Sequence, residues 1–154
     1  MKIRSSVQAV IISENKLLTV KKYDYNQYMN ILPGGGQEPG EPLKDAVVRE
    51  CLEELGVHVD VNELLFVSEY IGKNHEHSQW DSEVHVVVHL FACTLQDGIL
   101  TFKGTNPDPD QVGVEWIPLD ELTNSNFRPK ALIPHLFMYE KHGAIKSLYI
   151  GDMA

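Results

Sequence analysis

Three carboxylates, Glu50, Glu53 and Glu54, stand close together in the sequence beside Arg49, downstream of a glycine run at Gly34, Gly35 and Gly36. Clustered carboxylates can hold a hard divalent cation or exchange a proton with water, and glycine lets backbone groups approach a ligand closely. Whether these groups act together depends on the element that carries them. Pro42 stands at a helix start, good helix formers run from there to Leu55, and Gly56 supplies the stop, which predicts one helix of about fourteen residues. At about 100° per residue, with Glu50 as zero, Glu54 projects near ~40° and Glu53 near ~300°, while Leu43, Val47, Cys51, Leu55, Val48 and Leu52 spread from about 20° to about 200°. The three acids therefore share one edge of an otherwise apolar helix. Like charges at such spacings cost tenths of a kcal/mol per pair and ask for a counter-charge. Arg49, near ~260°, flanks Glu53 but cannot balance all three. Mg²⁺ or Mn²⁺, which prefer oxygen ligands, can. A solvated acidic face is the plain alternative for any helix rich in Glu.

The elements around this helix read as strands and turns. Val7 to Ile12 and Lys16 to Lys22 form a predicted hairpin around Ser13, Glu14 and Asn15. Tyr23 to Asn30 and the glycine- and proline-rich Pro33 to Gly40 read as loop. Glu63 to Ile71 and Val84 to Leu95 are predicted strands, the second with Val84, Val86, Val88, Leu90 and Ala92 on a core face and Glu83, His85, Val87, His89 and Phe91 on a mixed one. Gly104 to Val112 reads as an acidic loop, Val114 to Ile117 as a short strand, and Lys130 to His142 as a second helix burying Ile133, Leu136, Phe137 and Tyr139. Interleaved strands and helices predict an α/β (α+β) layered domain.

Composition narrows the function classes. The 154 residues fit a single domain, 1–154, and the 43% hydrophobic and 23% charged content is ordinary for a globular chain. Thirteen Lys and Arg against 22 Asp and Glu leave a net charge of −9, which argues against a nucleic acid duplex or an anionic membrane as partner. An anionic substrate then needs a metal or a local basic patch. Cys51 and Cys93 show no CxxC spacing and suit structural thiols in a reducing compartment, so a cytoplasmic location is expected. Val7 to Ile12 is too short for a signal core, and no run approaches the ~18 apolar residues of a membrane span.

The wider frame decides against a merely solvated face. Gly35, Glu41, Arg49, Glu50, Glu53, Glu54 and Gly56 stand at the spacing G-x5-E-x7-R-E-U-x-E-E-x-G-U, with U apolar. At ~6–7% background frequency per residue, seven fixed matches arise by chance on the order of 10⁻⁹ per starting position. This stretch resembles the Nudix box, the signature of the Nudix (MutT-type) hydrolase family. The box spans Gly35 to Val57. The strands before it and the strands and terminal helix after it are similar to the family's α/β/α sandwich with a mixed β-sheet, and Glu115 to Leu122 resembles a late segment of these proteins. Cys51 departs from the pattern, since an aliphatic residue is usual there; as a small buried hydrophobe it is expected to pack, not to react.

The resemblance implies hydrolysis of a phosphoanhydride bond in a nucleoside diphosphate linked to another moiety, with Mg²⁺ or Mn²⁺ as cofactor. The physics agrees with the acidic composition, because metal held by carboxylates neutralises phosphate oxygens and acidifies the attacking water. By position in the box, Glu50, Glu53 and Glu54 are implied as metal ligands or base, with the carbonyl of Gly34 or Gly35 as a further ligand. Glu50, Glu53 and Arg49 form the implied catalytic set. Glu41 and Arg49 would orient the carboxylate edge, and Gly56 would let the chain leave the helix. Within the family the base is a box glutamate or an acid on a later loop; Glu53 is preferred here, with Glu83, Asp108, Asp110 and Glu115 as outside candidates.

Other signals are weaker. His75, Glu76, His77, Asp81, His85 and His89 suit a zinc site poorly, because His85 and His89 lie ~13 Å apart along a strand at ~3.3 Å per residue. Tyr23, Tyr25, Tyr28 and Trp80 can stack on a nucleobase or simply pack, His75 and His77 can meet phosphate or solvent, and Lys21, Lys22, Lys73 and Arg128 can meet phosphate oxygens or water. Tyr28, Trp80, His77 and Lys22 are the expected substrate contacts. The glycine run lacks the Gly-Lys-Ser/Thr ending of a P-loop. Ser78-Gln79-Trp80 lacks the proline of the run found in NADH-cleaving members. A nucleoside triphosphate or other nucleotide derivative is the expected small-molecule substrate. The resemblance also allows a homodimer and, as the alternative function, a catalytically silent nucleotide-sensing binding module.

Overall fold

Alternation along the first strand sets the layering. Residues two apart on a strand share a face, so Val7, Ala9 and Ile11 pack to one side while Val10 packs to the other. A strand buried on both faces belongs in the middle of a sheet. The computed structural model, which describes residues 1–96, 101–143 and 147–154, places it there. β1 (Ile3–Val10) pairs antiparallel with β5 (Gly34–Gly36) on one edge and parallel with β7 (His85–Leu95) on the other. β7 continues antiparallel to β6 (Val59–Ile71), and β6 runs parallel to β9 (Tyr149–Asp152), giving a mixed five-stranded sheet. In a second, antiparallel sheet β3 (Lys16–Asp24) pairs with β2 (Ile12–Ser13), β4 (Gln27–Ile31) and β8 (Gln111–Pro118).

Two cores follow from the two faces. Helix α1 (Leu43–Leu55) lays Ala46, Val47, Cys51 and Leu55 against Val7, Ala9, Phe91 and Cys93. On the opposite side Val10, Leu65 and Leu90 meet Leu17, Leu32 and Phe127 together with Ile133 and Leu136 of α3 (Ile133–His142). Each fully buried leucine contributes about 1.5–3 kcal/mol, so both layers are held mainly by apolar burial. A short helix, α2 (Ser78–Asp81), interrupts the passage from β6 to β7. The result is a layered α+β fold with a mixed sheet. No helix among the described residues is long and apolar enough to cross a membrane.

Helix α1 runs as its sequence predicts, with Gly56 at φ 72° ending it in the left-handed region. Other elements differ. The predicted hairpin of Val7 to Ile12 with Lys16 to Lys22 shrinks to Ile12–Ser13 against Lys16 and Leu17, because doubly buried β1 pairs in the other sheet. Glu14 and Asn15, at φ 51° and 61°, make its tight turn. Tyr23 to Asn30 is not a loop but a second hairpin, with Tyr23 opposite Tyr28 and Asp24 opposite Gln27 around Tyr25 and Asn26. Gly34–Gly36 is extended and paired, not free. In β7 both faces are core: Phe91 and Cys93 are as deeply buried as Leu90 and Ala92, since α1 covers one side. β8 starts at Gln111, earlier than predicted, and Phe137 is exposed on α3.

Candidate active site

Helix α1 buries its apolar face and leaves Arg49, Glu50 and Glu53 along one rim. Arg49 supplies more counter-charge than its helical projection suggests. Its Nε donates to Glu41 Oε2 at 2.7 Å and its Nη2 to Glu41 Oε1 at 3.0 Å, a two-point grip. Nη1 donates to Glu50 Oε1 at 3.0 Å and Glu53 Oε2 at 3.3 Å, and Nη2 also reaches the Gly36 carbonyl at 2.8 Å. The guanidinium thus ties the helix to both the β5 strand and the segment before α1. Hydrogen bonds from Arg49 hold the Glu41 carboxyl below its usual range. Burial pushes the Glu50 carboxyl up, Arg49 offsets only part of this, and the neighbouring Glu53 and Asp108 charges add to it.

Glu54 is different, because it is the acid that Arg49 does not reach. Its side chain points inward at 2% exposure, and its Oε1 accepts the Gly34 N–H at 2.7 Å. Its Oε2 is buried without a hydrogen-bond partner among the described residues. Burial pushes the Glu54 carboxyl up to about 8, against the Gly34 N–H and the Lys22 ammonium, with Glu50 and Asp108 raising it further. An orphaned buried carboxylate oxygen is costly unless a proton or a cation satisfies it. Gly35 passes so close that a Cβ there would lie 2.5–2.7 Å from the Glu50 carboxylate atoms. Three carboxylates beside a bare strand form a hard-oxygen donor set, which fits Mg²⁺ or Mn²⁺ chemistry. As they stand, no three His, Cys, Asp or Glu side chains among the described residues converge into a ready metal cage. Arg49 sits between Glu50 and Glu53, while Glu54 turns toward Gly34.

The carboxyl end of α1 carries acids and no basic residue, which opposes the helix dipole. A distant segment resolves this. The Thr105 and Asn106 N–H groups donate to the Leu52 and Glu53 carbonyls at 3.3 and 3.0 Å, and Gln111 Nε2 donates to the Glu54 carbonyl at 2.9 Å. Gly56 is needed twice here, for its positive φ and because a Cβ would overlap the Lys103 carbonyl. The same segment delivers Asp108 and Asp110 to Lys22, whose Nζ lies 3.1 Å from Asp108 and 3.9 Å from Asp110. Burial works against the Lys22 charge, but Asp108, Asp110 and Glu54 more than offset it and raise its pKa.

A cavity of about 340 Å³ adjoins this edge. It meets the edge at Lys22 and at Gln8, the partner of Gly34 in the β1–β5 ladder. Met29, Ile31, Val88 and Met153 give it apolar walls, and Tyr25, Tyr70 and His77 an aromatic one. Of the expected substrate contacts, Lys22 and His77 line the cavity. Trp80 leans on His77 at 5.8 Å between ring centres. Tyr28 is not among the lining residues; its ring meets Tyr23 edge-on at 4.9 Å on the exposed side of the hairpin, with Lys21 over it. Among the outside acids, Glu115 pairs with Lys21 and Asn30, and Glu83 lies exposed near the amino terminus. The histidines disperse: His75 bonds Asp152, His85 bonds Glu69 and His89 bonds the Ser6 carbonyl. Two features escaped the sequence reading, the capping of α1 by residues 105–111 and the Tyr25–Asp81–Tyr70 contact. For the first a signal was present, because acids at a helix carboxyl end require compensation from somewhere.

The NUDIX domain family model matches residues 2–136. The Bacillus subtilis uncharacterized Nudix hydrolase YvcI is 33% identical over 123 residues, which cover 78% of this chain and 69% of that one. A Methanocaldococcus jannaschii relative named ADP-ribose pyrophosphatase is 29% identical over 140 residues, 90% of this chain and 75% of its own length. A longer Caenorhabditis elegans protein named for a nudix hydrolase is 29% identical over 122 residues, which cover 76% of this chain but only 29% of that protein. A solved NUDIX hydrolase from Nitrosomonas europaea has the same fold, with a TM-score of 0.72 at 22% identity over 94% of this chain and 93% of that one.

Proposed function

This chain belongs to the NUDIX domain family, and on that premise we propose that it cleaves a phosphoanhydride bond in a nucleoside diphosphate linked to another moiety, with Mg²⁺ or Mn²⁺ as cofactor. The family is one of pyrophosphohydrolases that act on nucleoside diphosphate derivatives and generally use divalent metal. The observation that carries the reading is the α1 edge itself: three carboxylates, one with an orphaned buried oxygen, beside a glycine strand and a ligand-sized cavity.

Glu50, Glu53 and Glu54, with a carbonyl of Gly34 or Gly35, would hold the cation. When bound, it neutralises phosphate oxygens and lowers the pKa of the attacking water. Glu53, the most exposed of the three at 29%, is placed to accept the proton of that water and is our choice of base. Arg49 and Glu41 keep the edge in register with the glycine strand. Lys22 stands between the α1 edge and the cavity, where it would meet phosphates held at that edge, with its charge secured by Asp108 and Asp110. We extend the proposal to one domain over 1–154 in a reducing cytoplasm, which the two buried free thiols support.

The test is phosphate or nucleotide release from nucleoside triphosphates, ADP-ribose, dinucleoside polyphosphates, sugar nucleotides and coenzyme A, with Mg²⁺ or Mn²⁺ and with chelator. Chelator-sensitive cleavage of one class supports the proposal and names the substrate. No cleavage by folded, metal-loaded protein overturns it in favour of a nucleotide-sensing module. Glu53→Gln should lower turnover by about 10²-fold or more with the fold intact. Near-normal turnover would remove Glu53 from the mechanism.

A further inference from the structure

Between β6 and β7 the chain carries a latch that phosphoanhydride cleavage does not itself require. After a 3₁₀ turn at Gly72–Asn74 comes α2, whose last residue, Asp81, accepts two tyrosine hydroxyls at the same carboxylate oxygen. Tyr25 OH donates at 2.6 Å and Tyr70 OH at 2.7 Å. One carboxylate therefore joins the turn of the β3–β4 hairpin, strand β6 and helix α2. The segment has no slack: the Gly72 N–H donates to the Val84 carbonyl, the Val84 N–H donates to the Asp81 carbonyl, and a Cβ on Gly72 would lie 2.6 Å from that of Asp81.

Tyr25 is held against its own preference. At φ 50° it lies in the left-handed region, where a bulky residue is an outlier that its surroundings must stabilise. Its ring stacks face to face on His77, 3.8 Å between centres with planes 2° apart. Tyr25, Tyr70 and His77 all face the 340 Å³ cavity. That cavity is also lined by four acids, Asp24, Glu69, Glu76 and Asp110, against two cations, Lys22 and Arg128. A phosphate is disfavoured among such groups, whereas a flat uncharged ring finds an aromatic wall on one side and apolar side chains on the other.

We propose that Asp81 is a positioning residue for substrate recognition: by gripping Tyr25 and Tyr70 it sets the Tyr25–His77 stack as the wall on which an uncharged heteroaromatic ring of the substrate docks. The proposal deepens the function above and rests on it only in placing the substrate's phosphates at the α1 edge. Two variants test it. Tyr25→Phe keeps the ring and removes one hydroxyl, and Asp81→Ala removes the acceptor. With the best nucleotide substrate, both should raise KM, Asp81→Ala by about tenfold, while kcat stays within about twofold. Inhibition by inorganic tripolyphosphate, which has no ring, should be unchanged. In chelator, AMP and UMP titrated against tryptophan fluorescence should bind the variants more weakly in the same proportion. An unchanged KM in folded variants, a loss confined to kcat, or an equal loss of tripolyphosphate affinity overturns the proposal. If the wild-type protein cleaves no nucleotide, the function fails separately. The monophosphate titration still decides: binding weakened by Asp81→Ala supports the latch, and no binding by wild type overturns it.

Discussion

Replacing Arg49 by methionine keeps the aliphatic stem and removes the fork that joins Glu41, Glu50 and Glu53 to the Gly36 carbonyl. Arg49 is 24% exposed, and its three main partners are 15%, 13% and 29% exposed. Solvent-exposed pairs are worth about 0–1 kcal/mol, and breaking a fully buried one costs ~3–5 kcal/mol. A site between these limits predicts a loss of about 2–3 kcal/mol. For a chain of this length each kcal/mol moves Tm by ~2–4 °C, so Arg49→Met should melt ~4–12 °C below wild type in chelator. Arg49→Lys keeps the charge without the two-point grip and should lose about 1 kcal/mol. Among the described residues the carboxylates freed by Arg49→Met have no other salt-bridge partner, so saturating Mg²⁺ should raise the variant's Tm by more than it raises that of wild type. Calorimetry with and without Mg²⁺ measures all four quantities. Equal melting of Arg49→Met and wild type in chelator would refute the fork as a structural tie, equal stabilisation by Mg²⁺ would refute competition between Arg49 and the cation, and stabilisation of neither would refute cation binding at these carboxylates.

Gly35→Ala pushes a methyl group into the Glu50 carboxylate, the movable end of a side chain, so turnover should fall about 10²-fold while circular dichroism and Tm change little. Gly56→Ala meets a rigid carbonyl at a positive φ and should instead cost about 2–4 kcal/mol in urea unfolding. Asp152 titrates on the acid side. Burial alone would raise its carboxyl, but bonds from Asn74, His75 and the Ile71 N–H outweigh this and hold it below 3.8. The unfolded chain then takes up the proton first, so this stabilisation is present above the unfolded value and lost as pH falls through the folded one. The stability gap between wild type and Asp152→Asn should therefore narrow steadily as pH falls below about 4 in chemical denaturation, and a gap independent of pH would count against it.

Helix α1 was legible because its signals are local: Pro42 before it, Gly56 after it, and an apolar face interrupted by three acids. The partition of β1 and β3 into different sheets was not, since Val7 to Ile12 and Lys16 to Lys22 look equally apolar from either side of a turn. Only the alternation of Val7, Ala9 and Ile11 with Val10, each buried, reveals a central strand. The hairpin that pairs Tyr23 with Tyr28 around Tyr25 was hidden for a related reason. A turn with tyrosine at positive φ contradicts ordinary turn chemistry, and its compensation, Asp81, lies 56 residues away. The Glu41–Arg49 pair was implied by the resemblance, but the bond from Arg49 to the Gly36 carbonyl was not, because it needs the Gly34–Gly36 strand that pairing with β1 supplies.

The bonds that close the carboxyl end of α1 also bear on the order of events during folding. Thr105 and Gln111 meet carbonyls 53 and 57 residues earlier in the chain, beyond two intervening strands of the first sheet. Such contacts form only after a long loop has closed, so they consolidate late. The last carbonyls of α1 therefore meet these partners when β8 docks on β3, not when the helix first winds. In a chain emerging from the ribosome, helix α1 is synthesised long before the partners that finish its last turn, and its carboxyl end is closed only once Gln111 has been made.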